Sequence, residues 1–175
     1  MGNFFQKDSI DETENEISIK DKIYKNTSFM DRIDFNINLL NDYIIKAINS
    51  FLKGKYFQDI NICKKYLSNS CIETLKKDIQ EEKQYYLFKD PIINIVNINI
   101  IDQNIKSVNF VSDIILEIEV SITYKKENIY TNILSLIIEE YKQNLWLTLS
   151  EKGWILEKYF ERNFKTNESK IIEVG

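Results

Sequence analysis

From Val108 to Tyr124 apolar and polar side chains alternate. Val108, Phe110, Ile114, Leu116, Ile118, Val120, Ile122 and Tyr124 fall on one side, and Asn109, Asp113, Glu117, Glu119, Thr123 and Lys125 on the other. A period of two sustained over seventeen residues is incompatible with a helix. It requires a long antiparallel strand with one packed and one wet face. A strand that long needs equally long neighbours. Residues 92–101 hold seven β-branched residues in ten, and residues 129–150 read as another long strand with a bulge near Glu139–Asn144. Lys125–Asn128 reads as the turn between the two long strands, with Asn128 tolerant of a positive φ. Ser150–Gly153 reads as a hairpin loop with Gly153 in the left-handed position, and Trp154–Arg162 as the last strand. On that last strand Trp154, Leu156 and Phe160 are expected to share a face, with Trp146 near them across the turn.

Before Pro91 the period changes. Ile33, Ile37, Leu40, Ile44, Ala47/Ile48 and Phe51 recur at steps of three and four, the stripe of an amphipathic helix. Asp31 or Asp34 can cap it, and Gly54 suits a left-handed terminus. A short second helix is expected over 58–66. A third begins at Ser70, where Ser70-Cys71-Ile72-Glu73 reads as a capping box. Residues 1–30 read as a disordered or weakly helical tail, 31–162 as one domain, and 163–175 as a loose C-terminal tail. The expected fold is α+β, with three N-terminal helices packed on a curved, mostly antiparallel four-stranded sheet.

Composition excludes more than it suggests. The 175-residue chain has no histidine, so no Ser-His-Asp or Cys-His relay and no His-ligated metal. Its four glycines include only Gly54 and Gly153 away from the termini, too few for a phosphate-cradling loop or a dinucleotide fingerprint. No cofactor and no metal is therefore expected. Cys63 and Cys71 are too few for a four-ligand zinc site and read as buried thiols of a reducing compartment. The net charge of −4 argues against nucleic acid. The wealth of Ile, Asn and Lys, at 31, 19 and 21 residues, is the mark of an AT-rich genome. Residues 1–30 show no signal peptide, and no apolar run is long enough to span a bilayer. The chain is expected in the cytoplasm or an equivalent reducing compartment, peripheral to a membrane if its lysines act there.

Three helices followed by four antiparallel strands is the order of the nuclear transport factor 2-like superfamily. Local patterns agree. Ala47-Ile48-Asn49-Ser50-Phe51, then Lys55-Tyr56-Phe57-Gln58-Asp59, then Cys63-Lys64-Lys65-Tyr66-Leu67-Ser68 resemble its helix, short step and entry to the third helix. Leu145-Trp146-Leu147-Thr148-Leu149, then Gly153-Trp154-Ile155-Leu156, resemble its closing hairpin. Within it, the chain looks most similar to the C-terminal domain of the mitochondrial import-motor subunit 44 and its bacterial relatives. The resemblance covers about residues 31–162 and implies a cone with a pocket between helices and sheet. Tyr43, Tyr56, Trp146 and Trp154 are the expected pocket residues.

The superfamily includes isomerases with an aspartate base, so an inward carboxylate is the feature to seek. Glu139 and Glu140 are adjacent. One of them can face inward beside Tyr141 as a general base, or both can lie at a bulge in solvent. Elsewhere the charge is basic. Residues 46–77 hold seven lysines against two acids, and Lys53, Lys55, Lys64 and Lys65 flank one short connection. Such a patch attracts anionic lipid headgroups, or is simply a solvated helix face. The expected function is a non-catalytic binding or scaffold domain that engages a protein partner, beside a membrane if the patch is real. An isomerase-type enzyme or small-molecule carrier is the alternative. A homodimer through the outer sheet face is a further expectation, opposed by the carboxylates there.

Overall fold

The computed structural model describes the backbone of residues 2–3, 37–107, 110–151 and 153–175, and the side chains of residues 42–102, 113–151 and 153–175. The expected tail over 1–30, the caps Asp31 and Asp34, and the inward placement of Val108 and Phe110 lie outside them. In chain order the elements are β1 (Gly2–Asn3), α1 (Ile37–Tyr56), two 3-10 turns (Ile60–Ile62 and Lys64–Tyr66), α2 (Asn69–Lys83), β2 (Tyr86–Ser107), β3 (Phe110–Asn128), β4 (Ile133–Ser150) and β5 (Gly153–Val174). The fold is α+β. The strands form one sheet in the order β1-β2-β3-β4-β5, antiparallel throughout and not closed on itself.

The alternation read in β3 positions the core. Ile114, Leu116, Ile118, Val120, Ile122 and Tyr124 are all buried on the helix-facing side. They meet Ile44, Ala47, Ile48, Phe51 and Leu52 of α1, and Cys71, Leu75 and Ile79 of α2. The β3–β4 ladder runs unbroken from Asp113↔Thr148 to Glu127↔Leu134. Every odd-numbered β4 residue from Ile137 to Leu147 therefore faces the helices.

Several expectations are corrected. Among the described residues two α-helices pack on the sheet rather than three, because the segment expected as a short helix makes two 3-10 turns. Asp59 caps the first of these by accepting from Asn61 N–H at 3.0 Å. Gly54 does not end α1. It lies inside it, where a Cβ would come 2.4 Å from Cys63 Sγ, so the glycine serves a close approach. Helix α2 is capped by Ser68, which accepts from Cys71 N–H at 3.2 Å, and not by a box at Ser70. Residue 71 then holds the third helical position, which leaves no Glu there to close a reciprocal pair. The β3–β4 turn lies at 129–132, with the positive φ at Asn132. Asn128 Oδ1 instead accepts the N–H groups of Tyr130 and Thr131. Gly153 does adopt the left-handed conformation, at φ 101°.

Residues 163–174 are not a loose tail but continue β5 along β4, as far as Val174↔Ile133. The expected irregularity near Glu139–Asn144 falls only on the β5 side. There the register shifts after Glu140 and between Gln143 and Leu145. Bulges in β5 also separate the closing aromatics. Trp154 and Leu156 are buried toward the helices, Phe160 is exposed, and Trp146 sits on the outer face opposite Lys158.

Candidate functional site

Helix α1 ends over the β3–β4 ladder, and its last turn carries two polar residues inward. Glu139 and Tyr141 alternate toward the same side, so the Glu139–Glu140 pair splits, with Glu139 buried and Glu140 outward. Tyr56 Oη donates to Glu139 Oε1 at 2.9 Å and lies 2.7 Å from Tyr141 Oη. Tyr124 Oη donates to Glu139 Oε2 at 3.3 Å. Arg162 reaches in from β5, its Nη1 3.5 Å from Glu139 Oε1 and 3.4 Å from Tyr56 Oη. Its guanidinium also packs on the rings of Tyr141 and Phe164. Glu139 therefore has both oxygens engaged, and its charge is matched by a guanidinium.

Burial governs the titration of this cluster. It pushes the Tyr56 and Tyr124 hydroxyls far up, and Tyr141 up to about 12. Burial works against the Arg162 charge, but Tyr56 and Glu139 outweigh it and hold the proton more firmly. Lys55 lies beside the cluster, 9% exposed, with Nζ 5.8 Å from the centre of the Tyr56 ring. Burial, then the Arg162 charge, lowers its pKa, against the opposing pull of Glu82, Asp78 and Glu139. Burial likewise raises Glu82 above the usual carboxylate range. Tyr159 donates a short hydrogen bond to Asp78, which ties β5 to α2.

The four residues expected to line one pocket are dispersed. Tyr43 is exposed on α1, Tyr56 belongs to the polar cluster, and Trp154 is core. Trp146 donates to Asp113 at 3.0 Å and borders a cleft of about 290 Å³ shared with Ser70, Cys71, Thr74, Glu157, Lys158 and Tyr159. The lysine patch is likewise divided. Lys53, Lys64 and Lys65 are exposed, whereas Lys55 points into the fold. Burial raises the thiols of Cys63 and Cys71 to about 11 and about 12, which leaves them protonated at neutral pH. No cluster of three or more metal-ligating side chains occurs among the described residues, and no described helix is long and apolar enough to cross a membrane.

Arg162 did not stand out in the sequence, although a signal was there. A chain with 21 lysines and two arginines places one of those arginines where a planar, always-charged group can stack and pair. Lys55 had a signal too, since it falls four residues after Phe51 on the apolar stripe of α1.

A second feature lies where β2 and β4 begin. Tyr85 and Tyr130 are 53% and 71% exposed, with ring centres 6.1 Å apart. Leu87 and Ile92 are also exposed on the outer face, Ile92 being 68% exposed. Cross-strand pairing places Ile138 in the row of Ile92 through Thr123, and Leu134 in the row of Leu87 through Glu127. Two exposed tyrosines and these two leucine and isoleucine rows make an apolar rim, with the row of Lys89, Lys125 and Leu136 between them and Lys89 paired to Glu127.

The chain matches no protein-family model and no curated protein. Among solved structures it is similar to the intermembrane space region of chloroplast protein ARC6. The TM-score is 0.53 at 9% identity, over 76% of this chain and 100% of that one. At that identity the likeness concerns the fold alone.

Proposed function

We propose that this chain is a non-catalytic binding domain of the nuclear transport factor 2-like kind, which engages a protein partner through the rim formed by Tyr85, Leu87, Ile92 and Tyr130. The exposed tyrosine pair of that rim carries the reading. Exposed aromatic anchors beside apolar side chains mark protein-interaction sites, because tyrosine supplies large contact area at low entropic cost. The interior supports the same reading. Glu139 is buried, accepts from Tyr56 and Tyr124 and pairs with Arg162, so its charge is matched within the fold. Placement beside a membrane draws support from Lys53, Lys64 and Lys65 alone, at about 1 kcal/mol per lysine near an anionic surface.

Affinity capture from native extract tests the reading with the wild-type chain and an Ile92→Ser/Tyr130→Ser variant side by side. One stoichiometric protein held by the wild type and lost from the equally folded variant is the expected result. Identical captures from both chains contradict it.

A further inference from the structure

Strand β5 ends the sheet on one side, and among the described residues its outer edge is covered only at its start. Leu67 bridges to Leu156, Ser68 N–H donates to the Leu156 carbonyl at 2.9 Å, and Ser68 Oγ donates to the Glu157 carbonyl at 3.3 Å. From Lys158 to Val174 no described strand pairs with that edge. An edge of this length is a template for another strand unless its charges forbid it.

Here the charges are self-complementary. When β5 lies antiparallel to a second β5, with the two-fold axis between Lys165 and Thr166, Lys158 faces Glu173 and Glu161 faces Lys170, each twice by symmetry. No like charges meet across the strands. The faces agree as well. Lys158 and Glu173 both lie on the outer face, opposite Trp146 and Leu134 of β4, and Lys170 joins them opposite Leu136. Phe160 and Glu161 form the outward bulge between the pairs Gln143↔Arg162 and Leu145↔Tyr159. Neighbouring registers do worse. A shift of two residues one way sets Glu161 against Glu168, and the other way keeps a single opposite pair, Lys165 with Glu168. The favoured register spans 158–173, almost the whole uncovered edge.

We infer that this edge is an interface for a second copy of the chain, paired β5 to β5 so that one sheet runs through both copies. This surface is distinct from the apolar rim and does not depend on what the rim binds. An isologous contact of this kind closes on itself and does not propagate.

Sedimentation of the full chain from 1 to 50 µM, a range set at about the micromolar strength of modest interfaces, reads the interface directly. A species of twice 20.9 kDa is expected, dissociating on dilution and more readily at high salt. Lys170→Glu opposes two pairs of like charges and weakens the dimer at least about tenfold. The charge-swapped variant Glu161→Lys/Lys170→Glu restores it. A monomer at every concentration overturns the inference. So does a dimer that Lys170→Glu leaves intact, or one that the swap fails to restore.

Discussion

Tyr56 and Glu139, 83 residues apart in the chain, share a buried 2.9 Å hydrogen bond that fastens the end of α1 to the middle of β4. Tyr56→Phe removes that donor and the contact with Tyr141, and leaves part of a buried carboxylate unsatisfied. The expected loss is about 1–3 kcal/mol, read as a fall in Tm. Arg162→Met strips the matching charge and costs more, about 3 kcal/mol. A variant Tyr56→Phe that melts with the wild type would show the network to be ornamental.

Lys55 gives a pH dependence of defined sign. Its folded pKa lies below the ordinary 10.5, so over the interval between the two values the unfolded chain binds more protons than the folded one. Wild-type stability therefore rises with pH across that interval, relative to Lys55→Met. The methionine variant is expected to be the more stable at pH 7, by an amount that shrinks toward pH 10. Denaturant titrations of both proteins at several pH values measure it, and a gap that widens with pH contradicts it.

Gly54 tests the packing of α1 on the 3-10 turns. An alanine Cβ there would meet Cys63 Sγ at 2.4 Å. Overpacking of that kind costs about 1–3 kcal/mol, more than the roughly 1 kcal/mol that helix propensity returns. Gly54→Ala is expected to destabilise, and Gly54→Ala/Cys63→Ala to recover part of the loss. A double-mutant cycle with no coupling would remove the contact from the account.

Trp154 is core, so Trp154→Ala is expected to cost about 3–5 kcal/mol and leave little soluble protein. Normal yield with an unchanged melting curve would contradict the hairpin packing.

Membrane contact rests on Lys53, Lys64 and Lys65, worth together at most about 3 kcal/mol. Flotation at low salt with cardiolipin-containing vesicles is expected to lift a minor fraction of protein. That fraction falls in Lys64→Gln/Lys65→Gln and is untouched by Lys55→Met. Protein wholly at the bottom of the gradient would end the membrane element.

These features differ in how far the sequence displays them. The face of β3 from Ile114 to Tyr124 is legible because one side is buried along its whole length, which forces strict alternation. Residues 163–174 read as a tail because an edge strand beyond the helices buries neither face, and no alternation is imposed. On paper Ser70, with Glu73 three residues on, is the better cap; the cap at Ser68 comes with a bond from its N–H to the Leu156 carbonyl, which no local pattern displays. Adjacent Glu139 and Glu140 cannot be ranked without register. The lysines read as solvated from composition, although the helical spacing of Lys55 from Phe51 points inward. Tyr85 and Tyr130 come together only when the turn at 129–132 packs on the end of α2, a contact no local pattern encodes.

The partner-binding rim is the central claim, and site-specific photo-crosslinking in cells tests it most directly. A benzophenone side chain placed at Tyr130 or Ile92 is predicted to yield one discrete covalent adduct, whereas the same group at Lys76, exposed on α2, yields none. Equal adducts from all three positions, or none from the rim, would contradict it.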